Sequence, residues 1–130
     1  MKTQQASETA VIAQAIELEY FHGLFNGNVE LLRKIFHPNT LLFGDVKNQP
    51  YAKHLDEYLD GVSNRVAPKD SGKPFESEIL AIDVINSIAV AKVRLQMYDF
   101  NYYDLLSFHK LDNKWRIVNK LLTHVDTNLK

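Results

Sequence analysis

The chain has no cysteine, which removes a disulfide framework, a thiolate nucleophile and a zinc–thiolate centre at once. Neither sign of charge is in excess. Lys and Arg number 15 against 16 Asp and Glu, for a formal net charge of −1. The basic residues are scattered and do not form the cluster that phosphate recognition needs, so no nucleic-acid partner is expected. No run approaches the ~20 apolar residues that cross a bilayer. The opening MKTQQASETAVIAQAIELEYF carries Gln14, Glu17 and Glu19 through its apolar pattern, unlike a signal peptide. A soluble, cytoplasmic protein without membrane contact is the expectation. His22, His37, His54, His109 and His124 fall at no metal-binding spacing. A Gly-rich phosphate loop and a G-x-S-x-G elbow are also missing, so neither a metal nor a cofactor is expected.

What is present suits one globular domain over residues 1–130, 45% hydrophobic and 24% charged. From Ser7 to Asn26 the residues Val11, Ile12, Ala15, Ile16, Leu18, Phe21, Leu24 and Phe25 recur at helical spacing, with Ser7 as the expected N-cap. Asn26-Gly27 ends that helix. Val29–Phe36 repeats the pattern before Pro38. A short strand is expected at Thr40–Phe43, and a third helix within Pro50–Gly61 on the spacing of Tyr51, Leu55, Tyr58 and Leu59. Asn64–Pro74 is rich in turn residues and reads as a loop. Beyond it only strands follow: Phe75–Ile85, Ile88–Phe100, Tyr102–Leu111 and Trp115–Val125, joined by short turns and therefore antiparallel neighbours. Helices first and a meander second predict an α+β domain with helices on one face of the sheet.

Two features of the strands bear on function. In Ile88–Phe100 the residues Ala91, Val93, Leu95 and Met97 alternate with Lys92, Arg94, Gln96 and Tyr98. On periodicity alone the apolar row lies under the helices and the charged row faces water. In the closing hairpin Asp104 and Lys120 sit among apolar residues, and whether they share a face depends on register. A two-residue Asp112-Asn113 loop pairs Leu105 with Lys120, whereas a bulged loop pairs Leu106 with it and brings Asp104, Arg94 and Lys120 together. His124 near the sheet end is a candidate pocket acid or base, and His37 a candidate helix-end cap. From the aromatic set, Phe43, Tyr58 and Tyr98 are candidate pocket walls beside a larger core.

The segments EYFHGLFNGNVELLRKIFHPNTLLFG and YYDLLSF followed by DNKWRIVNKLL resemble the nuclear transport factor 2-like superfamily, and its SnoaL-like and "putative lumazine-binding" branches in particular. The resemblance covers nearly the whole chain. It implies three N-terminal helices packed on a strongly curved, mainly antiparallel sheet that forms a cone with an internal pocket between helix one and the sheet. It also implies the opposite facing of the alternating strand, with Lys92, Arg94 and Gln96 lining the cone and Ala91, Val93, Leu95 and Met97 forming an outer, homodimer-facing surface. Ketosteroid isomerases of this superfamily use a carboxylate base with a Tyr and a protonated Asp as donors. The tyrosine position falls on Tyr20. The base position falls on Gly44, with Asp45 one residue later, and the second Asp falls on Leu106, two residues past Asp104 on the same strand face.

Three functions are consistent with these residues. One is an isomerase, dehydratase or cyclase in which Asp104 is the acid or base, Tyr20 a hydrogen-bond donor and Arg94 or Lys120 the group that stabilises negative charge. The second is a non-catalytic carrier or sensor of a small-molecule ligand. The third is an interaction module that docks through its apolar row.

Overall fold

The computed structural model describes residues 2–126, with side chains from Ser7 onward. Three helices cover one face of a six-stranded mixed sheet. The first is composite: α1 (Lys2–Ala15), a π-helical turn (Ile16–Phe21) and α2 (His22–Asn26) run on without a break, because Ala15 and His22 both keep right-handed helical dihedrals. Ser7 lies inside this helix and so does not cap it. Ile12, Ile16, Tyr20 and Leu24 form its buried row. Gly27, at φ +64°, ends it in the left-handed conformation that glycine adopts without strain, and the Asn28 N–H donates back to the Gly23 carbonyl at 2.8 Å. Asn28 then caps α3 (Val29–Ile35), its Oδ1 accepting from the Leu31 N–H at 3.1 Å.

Strand β1 (Phe36–Val46) is longer than the sequence predicts, and it turns through Lys47-Asn48 into β2 (Gln49–His54). Both turn residues have positive φ, as a two-residue hairpin requires. The helix expected within Pro50–Gly61 therefore begins later, as α4 (Leu55–Asn64). Tyr51 fits the helical spacing of Leu55 and Tyr58, but it pairs across β1 with Gly44 instead. His54 caps α4, and its N–H donates to Glu57 Oε1 at 3.1 Å. His37 lies in β1, where its Nδ1 accepts from the Asn39 N–H at 3.0 Å; this is a local turn contact, not a helix cap.

After the expected loop come β3 (Glu76–Ile85), β4 (Ile88–Met97), β5 (Phe100–Leu111) and β6 (Lys114–Asp126), in the sheet order β2-β1-β6-β5-β4-β3. Only β1 and β6 run parallel. Strand β4 decides which way its alternation faces. Ala89, Ala91, Val93, Leu95 and Met97 are buried under the helices with Leu106, Phe108 and Ile117. The facing drawn from the superfamily is thus reversed: Lys92 and Arg94 lie on the outer face, and the apolar row is core. Burial of ~25 cal/mol per Å² of apolar surface favours this arrangement, since the helices offer apolar partners on that side alone.

The closing hairpin combines both of the alternatives open to it. Asp112-Asn113 is a tight two-residue turn with positive φ at both positions, and Leu111 pairs with Lys114. Yet Phe108 pairs with Ile117 while Ser107 pairs with Asn119, which leaves Val118 as an extra residue in β6. This bulge, not the turn, puts Lys120 opposite Leu106. The inward row of β6 accordingly changes from Trp115 and Ile117 before the bulge to Lys120 and Leu122 after it. Among the described residues, no helix is long and apolar enough to cross a membrane.

Candidate functional site

Asp104 is 2% exposed and Lys120 4%, and with Thr40 they are the buried polar residues among the described side chains. Burying a carboxylate and an ammonium is costly unless each finds partners. Their cross-strand positions supply some: Asp104 pairs with Leu122 and Lys120 with Leu106, so the two are diagonal neighbours on one face. Lys120 Nζ lies 3.8 Å from Asp104 Oδ2. The same oxygen accepts from the Tyr20 hydroxyl at 2.5 Å. Tyr20 comes from the π-helical turn, a wide turn of the kind often found at functional positions. Lys120 Nζ also donates to the Tyr58 hydroxyl at 3.2 Å, and it lies 4.5 Å from the Tyr58 ring centre and 5.2 Å from that of Tyr20.

The protonation states follow from this packing. Burial raises the Tyr20 pKa well above its ordinary value, and the adjacent Asp104 raises it further, so the phenol keeps its proton. Burial acts the other way on Lys120, but attraction to Asp104 and its contact with Tyr58 outweigh it, and the net shift is upward. Lys120 stays an ammonium.

Above this pair is a recess of about 90 Å³. Asp104 and Lys120 lie at its base, Tyr51, Tyr58 and Tyr102 form aromatic walls, Val46, Met97 and Leu122 supply apolar surface, and Arg65 closes one side. The recess is thus bounded by β1, β2, α4 and the sheet. Most of the space between helix one and the sheet, where the pocket was expected, is filled by core side chains such as Ile12, Ile16 and Leu95, and an open groove remains at the helix end between Phe21, Phe25, Phe75 and Ser77. Tyr20 is fully buried beneath the recess and is not part of its wall.

The structure distributes the sequence-predicted site residues unevenly. Asp104, Lys120, Tyr58 and Tyr20 come together. Tyr98 sits at the rim, in the two-residue β4–β5 turn, where its hydroxyl donates to the Val66 carbonyl and its ring lies 5.3 Å from the Arg65 guanidinium carbon. His124 packs 5.1 Å from the Tyr102 ring and 4.3 Å from Phe100, and its Nε2 accepts from the Lys47 N–H at 2.6 Å. Arg94 does not reach the recess. On the outer face it donates to Glu78 at 2.6 Å, Asn101 at 2.7 Å and Glu76 at 3.0 Å, because the inward positions of β4 belong to Val93 and Leu95. Phe43 is likewise outside and 43% exposed, one residue from the inward Leu42.

Gly44, the position of the missing base, is closed to any side chain: a Cβ there would lie 1.7 Å from the Leu122 carbonyl oxygen. Asp45 is exposed. Six recess residues, Val46, Tyr51, Arg65, Met97, Tyr102 and Leu122, were absent from the sequence-based set. Tyr51 was hidden by its fit to a helical pattern, and Arg65 by its place in a loop, where no periodicity gives direction. The only available signal for Arg65 was that loops on rigid scaffolds often carry binding residues.

Residues 7–123 match the family described as "Putative lumazine-binding". The chain belongs to that family. Solved structures similar to this family member are nuclear transport factor 2-like proteins of unknown function. One from Silicibacter pomeroyi is 18% identical with a TM-score of 0.82, over 92% of this chain and 98% of that one. One from Shewanella baltica is 21% identical with a TM-score of 0.81, over 94% and 97%. A third, from Methylobacillus flagellatus, is 25% identical with a TM-score of 0.81, over 92% and 93%. These likenesses establish the α+β fold of three helices on a curved sheet. No curated protein matches the chain.

Proposed function

We propose that the protein binds a small molecule, or the polar end of a larger one, in the recess above Asp104 and Lys120, and holds it without acid–base turnover. The observation that carries this reading is a buried ionic pair left at the base of a space walled by three tyrosines. Apolar and aromatic walls with a few convergent polar groups are what ligand sites present. At about 90 Å³ the recess is well below the ~300–1,000 Å³ of drug-sized pockets, so the bound group is small.

Binding is favoured over catalysis because the acid–base inventory is already engaged. The Tyr20 proton is committed to Asp104, the Asp104 oxygen that accepts it also faces Lys120, and Arg94 is on the other face of the sheet. Shift mapping by NMR with a library of polar fragments of fewer than about ten non-hydrogen atoms tests this reading. Binders are expected to move the resonances of Tyr51, Tyr58 and Tyr102 and to be recovered unchanged. Binders that cluster on the outer sheet face would overturn the recess assignment, and conversion that vanishes in Asp104→Asn would overturn the non-catalytic part.

We propose in addition that a second copy of the chain docks on the outer sheet face. Phe43, Leu121 and Leu105 are exposed and adjacent across three strands, and Ile85, Ile88, Val90 and Val118 line a shallow apolar groove on the same sheet. Exposed apolar side chains clustered across neighbouring strands are a feature that interfaces share. Sedimentation should give a dimer that Leu105→Glu converts to monomer; a monomeric parent protein at high concentration would refute it.

A further inference from the structure

We infer that Arg65 reads an anionic group of the bound molecule, and that the ligand carries a carboxylate or a similarly compact oxyanion. This inference rests on the recess being a ligand site and names the chemistry of what enters it.

Arg65 is the first residue past α4, in extended conformation, and its guanidinium lies over the Tyr98 ring at one side of the recess. Its Nε and Nη2 atoms are both buried and have no hydrogen-bond partner. Buried donors are nearly always satisfied, and leaving those of a charged group unpaired costs more than leaving a neutral one. The other arginines for which ion pairs are seen behave differently. Arg94 has Glu76 and Glu78, and Arg33 has Asp56 at 3.2 Å.

Which two atoms are unpaired matters. The Nε–H and one Nη2–H of a guanidinium point the same way from one edge of the plane, the parallel fork that takes both oxygens of a carboxylate. Lys offers no such edge. Local charge agrees with this geometry. Lys120 and Arg65 both line the recess, whereas among the described residues Asp104 is the one carboxylate lining it, and its Oδ2 already serves Tyr20 and Lys120. An anion entering the recess would draw this closed edge of the guanidinium toward it, supply the missing acceptor and balance the second cation. Tyrosine walls would cover the rest of so small a ligand.

The test uses the full chain and two probes of nearly equal shape, acetate and acetamide, each titrated at constant ionic strength while the arginine Nε–H resonances are followed. Acetate is expected to shift the Arg65 resonance saturably together with Tyr51 and Tyr102, acetamide to leave it unmoved, and Arg33 and Arg94 to show no saturation. Arg65→Lys, which keeps the charge and loses the fork, should weaken acetate about tenfold or more, and Arg65→Gln should abolish it. The contrast between probes in the unmodified protein stands even if a variant folds poorly. If both probes move the recess tyrosines equally and Arg65→Lys leaves acetate binding unchanged, the anion assignment fails and the recess remains a ligand site. If neither probe moves any recess resonance, so that only water satisfies the guanidinium, both readings fail.

Discussion

Two charged clusters occupy opposite faces of the same sheet. On the outer face Arg94 meets Glu76, Glu78 and Asn101, with its acidic partners 62% and 50% exposed. On the helix-covered face Lys120 meets Asp104, Tyr20 and Tyr58, all buried. The outer cluster has the shorter ion-pair distances, 2.6 and 3.0 Å against 3.8 Å. Distance alone would rank it the stronger. Solvent reverses that ranking, because water and salt screen the outer charges and stand ready to replace each partner, whereas nothing replaces a partner lost inside.

Removing one inner partner should therefore have the largest effect. Lys120→Met leaves Asp104 buried beside Tyr20 without its cation and is expected to cost ~3–5 kcal/mol in urea denaturation. Adding Asp104→Asn, which still accepts from Tyr20 but carries no charge, should recover a substantial part. If the double variant were no better than the single one, the loss would be one of packing and not of charge. The inner cluster should also respond to alkali. The Lys120 pKa is raised by folding, so its stabilising contribution is complete below the unfolded value of ~10.4 and is lost as pH rises through the folded value. Tyr20 acts with the same sign above about pH 10. The denaturation midpoint is thus expected to fall above pH 10, less steeply in Lys120→Met. The smallest effect belongs to the outer face. Arg94→Gln should cost at most ~1 kcal/mol, and less as salt is added. A loss that matched that of Lys120→Met would erase the distinction between the faces.

The sequence made some of this arrangement visible and concealed the rest for physical reasons. The alternation of β4 is uninterrupted, so its apolar row could be recognised and its inward facing expected from periodicity. The helix of Tyr20 and the short helix after Gly27 were equally readable, because apolar spacing and the Asn26-Gly27 stop are local, although the expected Ser7 cap falls inside the helix. Strand β2 was hidden because Tyr51, Leu55 and Tyr58 lie at helical spacing although the chain changes conformation at His54. The meeting of Asp104 and Lys120 was visible as a question of register alone, since a bulge is decided by pairing across strands and leaves little trace in one of them. Arg65 left only the weak signal of a loop position, because its place beside the recess depends on which loop closes over which tyrosines, and that is settled by tertiary packing.

The bulge at Val118 has a consequence for how this site could arise or vanish. Lys120 faces inward because Val118 stands outside the pairing; counted from the closing turn without that bulge, Lys120 would lie opposite Leu105 and face out. Were Val118 drawn into the ladder opposite Ser107, every later residue would move on by one step, turning Lys120 outward and presenting Asn119 and Leu121 to the interior, whereas deleting Val118 would leave Lys120 opposite Leu106. A family member could thus exchange a buried ammonium for a floor of Asn and Leu by losing the bulge while keeping the residue, with no side chain substituted. Whether that one residue of β6 is paired or bulged, more than any substitution in the recess, is where the chemistry of this site would diverge.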